Sequence, residues 1–324
     1  MNIDRLKTLC ECLGVSSNEQ VVASVLKPVF EENADGIIRD NLGSIFAHKM
    51  SKNENAKTFM IACPMDECGL MVSAVNKEEG TLSFIALEDI TLASLLHQRV
   101  SILCRDNTIV SGVITSKDNS ANDLYILCPN ADKVTPGDLI SYEANFELED
   151  NVIYSKALNP RILNEVCLEL VERLKSEELD FNVAIGTMSQ STIGFRGTKT
   201  ATYVIEPDAA LALTVFNDAK INDGVTVGMY DKGMIPSQRL LNDIKSFVDV
   251  KSNFNTRSND GSFIHKTVKG CPTVVVGIAC NNLNSANEMV SVSDVDALVD
   301  MLVKFVLHLN NEMIIDFGFG EHHA

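Results

Sequence analysis

The chain of 324 residues has few positive charges and no long apolar run. Lys and Arg number 27 against 44 Asp and Glu, which gives a formal net charge of −17. A surface with this excess of negative charge repels phosphate backbones and anionic lipids, so we expect no nucleic-acid or membrane partner. The first five residues carry no apolar signal region, and no stretch reaches the roughly 18 apolar residues of a membrane helix. We therefore expect a cytoplasmic protein.

The cysteines lack the spacing of a structural zinc site. There are nine, an odd number, and although Cys10 and Cys12 are close in sequence, as are Cys63 and Cys68, no zinc-ribbon spacing recurs. This usage is typical of reduced cytosolic thiols rather than of a disulfide framework. Hydrophobic residues make up 45% of the chain, which is enough for a large core in one or two domains.

Helical and extended patterns alternate at both ends of the chain and enclose a segment of different character. Residues 58–63 form a continuous apolar run, typical of a buried central strand, and Asn159-Pro160 opens a helix with one apolar face. Ser293 and Asp296 resemble a capping box at the start of a later helix. Between about 70 and 155, short β-type runs alternate with turns. This order predicts a doubly wound α/β domain that contains an inserted all-β unit.

Several short motifs occur in an order that resembles one protein family along nearly the whole chain. They are Gly14-Val15-Ser16-Ser17-Asn18-Glu19, Asp40-Asn41-Leu42-Gly43-Ser44, Met65-Asp66-Glu67, Gly69-Leu70-Met71-Val72, residues 134–138, Lys156-Ala157-Leu158, Ile193-Gly194-Phe195-Arg196-Gly197, Gly270-Cys271-Pro272-Thr273 and Glu288-Met289-Val290. The family is that of the M42 aminopeptidases, which includes tetrahedral, deblocking and glutamyl aminopeptidases. The resemblance implies an α/β aminopeptidase-like domain with a mixed sheet at residues 1–69 and 156–324. It also implies an inserted β-barrel of the dimerisation type at 70–155, and a homodimer or larger homo-oligomer.

The residues that carry the family's chemistry are missing. That chemistry needs two divalent metals, zinc or cobalt, held by two His and by carboxylates, with a Glu as general base. On the matching motifs the first His falls on Pro64, the bridging Asp on Asn159, the base and its neighbouring Glu ligand on Ser191 and Thr192, the terminal Asp on Thr214, and the last His on Asn284. Proline offers no side-chain lone pair, and neutral oxygens do not balance the charge of about +4 that two metals bring. The sequence therefore predicts that the metal site is lost, that no cofactor is bound, and that the cleft is nearly uncharged.

Four charged residues are assigned to this vestigial cleft. The family uses the Asp at position 66 to support the metal-binding His. With Pro64 in place of that His, we expect structural roles for Asp66 and Glu67. Arg161 is expected to pair with a carboxylate, and Asp260 belongs to a segment expected to border the cleft.

A replacement chemistry would need a nucleophile and a base, usually His. Of the six His, His265 falls in a segment expected near the cleft, so Cys63 with His265 is one arrangement to test, against the simpler expectation of inert buried thiols. Metal capture by Cys63, Cys68 and Asp66 would follow no recognised ligand pattern. His308 is expected at the surface. His322 and His323 lie in the C-terminal tail.

We interpret the chain as a catalytically inactive homologue of the M42 aminopeptidases whose metal-free cleft binds a peptide, or which serves as an oligomer subunit. Two alternatives stay open. One is a metal-dependent aminopeptidase or other hydrolase with an unrecognised ligand set, and the other is a purely structural partner subunit of an active relative. Metal content and turnover of aminoacyl substrates separate the interpretation from the first alternative, and co-purification with an active relative would support the second.

Overall fold

Helices and strands occur throughout the part of the chain that the computed structural model describes, residues 1–88, 90–254 and 257–319. The helices are α1 (Ile3–Glu11), α2 (Gln20–Asn33), α3 (Leu92–Leu95), α4 (Leu158–Leu174), α5 (Arg196–Ile205), α6 (Gln238–Phe247), α7 (Gly261–Ile264), α8 (Val292–His308) and α9 (Asn311–Phe317). The strands are β1 (Gly36–Arg39), β2 (Ile45–Lys49), β3 (Thr58–Pro64), β4 (Leu70–Asn76), β5 (Thr81–Ala86), β6 (Arg99–Leu103), β7 (Ile109–Thr115), β8 (Tyr125–Leu127), β9 (Leu139–Tyr142), β10 (Glu147–Glu149), β11 (Val152–Ser155), β12 (Asn182–Met188), β13 (Ala209–Phe216), β14 (Thr226–Tyr230), β15 (Lys251–Phe254), β16 (Thr273–Ala279) and β17 (Glu288–Ser291). None of the helices in these ranges is long and apolar enough to cross a bilayer.

An eight-stranded sheet with the order β1-β2-β12-β3-β13-β16-β14-β15 forms the centre of the larger part. Its four middle strands, β12, β3, β13 and β16, run parallel to one another. Strand β2 is antiparallel to β12, and β14 is antiparallel to β16. The sheet is therefore mixed, and the predicted fold class is confirmed.

Helices cover both faces of this sheet. Alternate residues of β3 show the division, because side chains of a strand point to opposite faces in turn. Phe59, Ile61 and Cys63 join the core under α1, α2, α4, α6 and α8. Met60 and Ala62 join the core under α5 and α7. The sheet is thus buried on both sides, which explains its continuous apolar runs.

The inserted all-β unit is a closed barrel with the order β4-β5-β8-β7-β6-β9. It has its own core, to which Leu70, Val100 and Ile140 contribute fully or almost fully buried side chains. After the barrel, β10 and β11 pair with each other and with β17 in a separate three-stranded sheet. The division of the chain at 69/70 and 155/156 stays a prediction.

Two helix starts can be compared with the sequence. Asn159 has an extended backbone with φ −88° and ψ 112°, and α4 continues from the cis-linked Pro160. At α8 the prediction was wrong in detail. The helix begins at Val292 with Ser291 at its N-cap and no capping side-chain bond, so Ser293 lies inside the first turn. Its hydroxyl contacts that of Ser291 at 2.9 Å instead of closing a capping box.

Candidate functional site

The predicted site residues gather where the parallel strands end. Pro64 is the last residue of β3, Ser191 and Thr192 follow β12, Thr214 lies in the second half of β13, and Asn284 follows β16. Because β3, β12, β13 and β16 are parallel, these ends share one edge of the sheet. Ligands of open α/β sheets bind at this edge. The positions marked by the motifs therefore lie at the edge of the sheet where ligands of such folds bind.

Asp66 holds the loop that follows β12. Its carboxylate is 1% exposed and accepts four hydrogen bonds. The donors are the backbone N–H of Ser191 (2.8 Å), the backbone N–H and hydroxyl of Thr192 (3.1 and 2.5 Å) and the hydroxyl of Ser16 (2.5 Å). Burial raises the pKa of Asp66, and these donors oppose the rise. Ser191 and Thr192, on which the resemblance places the base and a metal ligand, thus donate to Asp66.

Two further buried carboxylates hold the same loop. Asp260 accepts the hydroxyl of Ser191 at 2.9 Å and that of Thr198. Glu19, which is 4% exposed, accepts the backbone N–H of Gln190 at 2.8 Å. Burial raises the pKa of Asp260 to about 6, and the neighbouring charge of Asp66 adds to the rise. Sequence reasoning quoted Glu19 only as part of a motif and missed Thr198.

Glu67 is the centre of a buried ion network. Its carboxylate accepts the ammonium of Lys156 at 2.6 Å, the guanidinium of Arg161 at 3.3 Å, the hydroxyl of Ser141 at 2.9 Å and the backbone N–H of Gly14 at 2.8 Å. The side chains of Glu67, Lys156 and Arg161 are at most 2% exposed. Burial alone raises the pKa of Glu67, but the charges of Lys156 and Arg161 outweigh it and lower the pKa below its ordinary value. Arg161 therefore contacts a carboxylate, whereas Lys156 was a partner that the sequence did not reveal.

Glu288 is a site residue that sequence reasoning missed. Its carboxylate accepts the backbone N–H groups of Asn159 and Asn284, each at 2.7 Å, so it joins two of the positions on which the resemblance places metal ligands. Burial raises the pKa of Glu288 to about 8, with smaller contributions from Glu67 and Glu88. We expected a nearly uncharged cleft and did not count Glu288 among its residues. With a pKa of about 8, most of this carboxyl group is protonated at pH 7. The motif Glu288-Met289-Val290 was the feature of the sequence that could have revealed it.

The residues on which the resemblance places the metal ligands do not fit a dinuclear metal centre. Pro64 offers only its backbone carbonyl, which already accepts the amide of Asn164 at 2.8 Å. Thr214 presents a neutral hydroxyl 3.5 Å from the carbonyl oxygen of Val215. Within the described ranges no three His, Cys, Asp or Glu side chains are grouped so as to hold a metal ion. We derive no catalytic step through a metal from this donor set.

Cys63 and His265 have separate surroundings. The thiol of Cys63 lies 3.7 Å from that of Cys167 in the core next to α4, and burial raises its pKa well above the ordinary value. His265 follows α7, which packs on the opposite face of the sheet, and its Nε2 lies 3.0 Å from the carbonyl oxygen of Gly233. The structure does not bring this nucleophile and base together. His308 is surface-exposed, and its Nε2 lies 3.5 Å from Asp243.

Burial also raises the pKa of Cys68 well above its ordinary value, which disfavours the thiolate that a metal would need. His322 and His323 lie outside the described residues.

Comparison with known proteins gives one consistent result. The family model for the M42 glutamyl aminopeptidase matches residues 43–124 and 130–301. The six positions on which the resemblance places the metal ligands and the base lie inside these ranges. The Escherichia coli (strain K12) protein FrvX is 29% identical over 98% of this chain and 98% of its own length. The glutamyl aminopeptidase of Lactococcus lactis subsp. cremoris is 27% identical over 97% of this chain and 98% of its own.

Solved structures agree with the sequence relatives. The TET aminopeptidase of a marine-sediment Thaumarchaeota archaeon is 27% identical and superposes with a TM-score of 0.91, over 97% of this chain and 98% of its own. The TET1 peptidase of Pyrococcus horikoshii, which can assemble into a tetrahedron or a large octahedral shell, is 20% identical with a TM-score of 0.84 over 95% and 99%. At 20% identity, the likeness to the TET1 peptidase concerns the fold alone.

Proposed function

The chain belongs to the M42 glutamyl aminopeptidase family, and from this premise we propose that it is a member without aminopeptidase activity, whose metal-free cleft binds a peptide or whose role is that of an oligomer subunit. The site residues of the proposal are Pro64, Asp66, Glu67, Asn159, Arg161, Ser191, Thr192, Thr214, Asp260 and Asn284. None of them is assigned a catalytic role.

One observation carries the proposal. The loop with Ser191 and Thr192, where the family resemblance places two Glu, is itself bound to Asp66 through both backbone N–H groups and one hydroxyl. Asp66 thus serves as an anchor for this loop. In the family the Asp at this position supports the metal-binding His, and here Pro64 stands in place of that His. The neutral residues at the other former ligand positions point to the same conclusion, since divalent metals require negatively charged or imidazole donors.

Homo-oligomerisation is the second part of the proposal. The Pyrococcus horikoshii TET1 peptidase assembles into closed shells. In this chain the barrel exposes apolar side chains on neighbouring strands, with Ile109, Val113 and Leu127 at 59%, 38% and 45% exposure. Val113 and Leu127 are paired across β7 and β8, so they form one continuous apolar surface. Light scattering after gel filtration should give a mass at least twice that of the 35.4 kDa chain, and the mass of a single chain would contradict this part of the proposal.

The test of inactivity combines metal analysis with turnover. The protein is incubated with Zn²⁺ or Co²⁺, freed of excess metal, analysed by mass spectrometry for bound metal, and assayed on a panel of aminoacyl p-nitroanilides. We expect well under one metal per chain and no turnover above buffer. Near-stoichiometric metal together with turnover that disappears in Asp66→Ala or Glu67→Ala would refute the proposal and favour an unrecognised ligand set.

A restoration variant serves as the matched control. It carries Pro64→His, Asn159→Asp, Ser191→Glu, Thr192→Glu, Thr214→Asp and Asn284→His. Metal binding by this variant, with none by the natural sequence under identical conditions, would show that the assay detects a dinuclear site in this scaffold. Equal metal binding by both proteins would contradict the assignment of these six positions.

A further inference from the structure

A cavity lies between α5, the segment around α7 and the turn at Asp40-Asn41. Its volume is about 550 Å³, within the usual range for small-molecule sites. We call it the α5–α7 cavity. It packs on the face of the sheet that carries Ala201 and Ile264 in its core, and none of the ten residues of the vestigial cleft lines it.

Aromatic and branched apolar side chains provide much of its wall. Phe263 lines the cavity, and its ring stacks on that of Phe195, which is not part of the lining, with centroids 4.7 Å apart at 25°. Tyr203 and Val204 on α5 also line the cavity and are 66% and 50% exposed. Apolar surface of this kind, concentrated in a concave site, marks binding sites more often than isolated exposed residues do.

Two ammonium groups converge on the same ring. The Nζ atoms of Lys199 and Lys266 lie 5.1 and 4.3 Å from the ring centroid of Phe263. Within the described ranges neither ammonium forms an ion pair, whereas exposed Lys52 pairs with Glu178 at 2.6 Å. Lys199 and Lys266 thus bring two positive charges into one cavity of a chain whose net charge is −17.

Among the described residues that line the cavity, the one carboxylate is that of Asp40, and it is already hydrogen-bonded. Asp40 accepts the backbone N–H groups of Leu42, Gly43 and Ser44 at 2.9–3.0 Å and the hydroxyl of Thr200 at 2.5 Å. Its oxygens therefore stabilise the turn between β1 and β2. The charged residues in the described lining are thus Lys199, Lys266 and Asp40. Because Asp40 is bound to the turn, the two ammonium groups are the charges that a ligand can meet.

We propose that the α5–α7 cavity binds a small aromatic carboxylate. The carboxylate pairs with Lys199 and Lys266, and the ring packs on Phe263, Tyr203 and Val204. Ammonium groups near a ring and beside apolar walls fit a ligand that combines an anion with an aromatic group. The proposal is independent of the metal positions and would hold for an active or an inactive protein.

Three probes that differ in one feature each provide the test on the full-length protein. N-acetyl-L-phenylalanine carries both ring and charge, N-acetyl-L-phenylalanine amide lacks the charge, and N-acetylglycine lacks the ring. Binding is measured by isothermal titration at low ionic strength. We expect saturable binding of the first probe and roughly tenfold weaker binding of each of the others. Equal affinities for acid and amide, or no saturable binding of the acid, would overturn the proposal.

Charge-removing variants locate the site. Lys199→Met and Lys266→Met keep the apolar stem, and each should weaken the acid roughly three- to fivefold while leaving the amide unchanged. Lys304→Met is the control, because Lys304 is exposed on α8, on the opposite face of the sheet. Unchanged acid binding in both cavity variants would overturn the proposal. So would a change of oligomeric mass in these variants without a change in binding, since the cavity would then be an assembly contact.

Discussion

Replacing Glu67 with Gln should strongly destabilise the protein, because the change leaves two cations buried without their anion. The carboxylate of Glu67 lies 2.6 Å from Lys156 and 3.3 Å from Arg161. At an effective dielectric constant of about 20, each contact is worth about 5–6 kcal/mol before desolvation is subtracted. Removing one partner of a buried pair costs about 3–5 kcal/mol in measured cases. We expect a loss of this size, against a total free energy of unfolding of about 5–15 kcal/mol.

The measurement is equilibrium unfolding in urea at pH 7 and one fixed protein concentration. The chain has no Trp, so circular dichroism is the suitable signal. Glu178→Gln is the matched control, since Glu178 pairs with Lys52 at the same 2.6 Å but both side chains are more than 80% exposed. The control should show no measurable change.

The pH dependence provides a second check on Glu67. Its pKa is lowered in the folded protein, so its contribution to stability is present above the unfolded pKa of about 4.3 and is lost as the pH falls through the folded pKa. The Glu67→Gln variant should lack this acid-sensitive part. A variant as stable as the natural protein at pH 7 would refute the structural role of the network. Intact stability with loss of a hydrolytic activity would point to catalysis instead.

Three other predictions concern separate parts of the molecule. The pKa of Glu288 is raised to about 8, so the folded protein holds a proton that the unfolded chain releases. The free energy of unfolding should therefore fall as the pH rises from about 4.5 to 8. Glu288→Gln should remove this slope in unfolding experiments from pH 5 to 9. Gly277→Ala should prevent stable folding, because the new Cβ would lie 1.7 Å from the carbonyl oxygen of Thr214. Gly36→Ala is the control: its Cβ would meet nothing within 4 Å, so this variant should unfold at nearly the same temperature as the natural protein. Of the nine cysteines only Cys12 is not buried, so Ellman's reagent should label about one thiol rapidly in the native state and nine in urea. Cys12→Ser should abolish the rapid phase. Rapid labelling of several thiols would contradict the buried positions of the others.

The α/β core could be predicted because its signals are local. Residues 209–216 are a continuous apolar run and form β13, and the apolar spacing after Pro160 belongs to α4. The short runs of the insert likewise became barrel strands. By contrast, β15 at Lys251–Phe254 is a polar edge strand with one buried residue, and α7 has only four residues, so neither has enough periodicity to be recognised.

The site could be located from its motifs, but its contacts could not. Asp66 binds Ser191 across 125 positions of sequence, and Lys156 binds Glu67 across 89. Such pairs depend on how the strands are ordered in the sheet, which spacing along the chain does not encode. For the same reason the sequence did not reveal the role of Glu288. Its partners Asn159 and Asn284 come together only when β17 folds beside the start of α4.

The network around Glu67 also joins the first and last strands of the barrel to the segment that leads into α4. Glu67 stands three positions before β4, where the chain enters the barrel, and its carboxylate accepts the hydroxyl of Ser141 in β9, the last barrel strand, at 2.9 Å. It also contacts at 2.6 Å the ammonium of Lys156, which lies between β11 and α4. A force that pulls on the barrel is therefore shared by its first strand, its last strand and the start of α4. These contacts would resist hinge bending and hold the angle at which the barrel projects from the sheet.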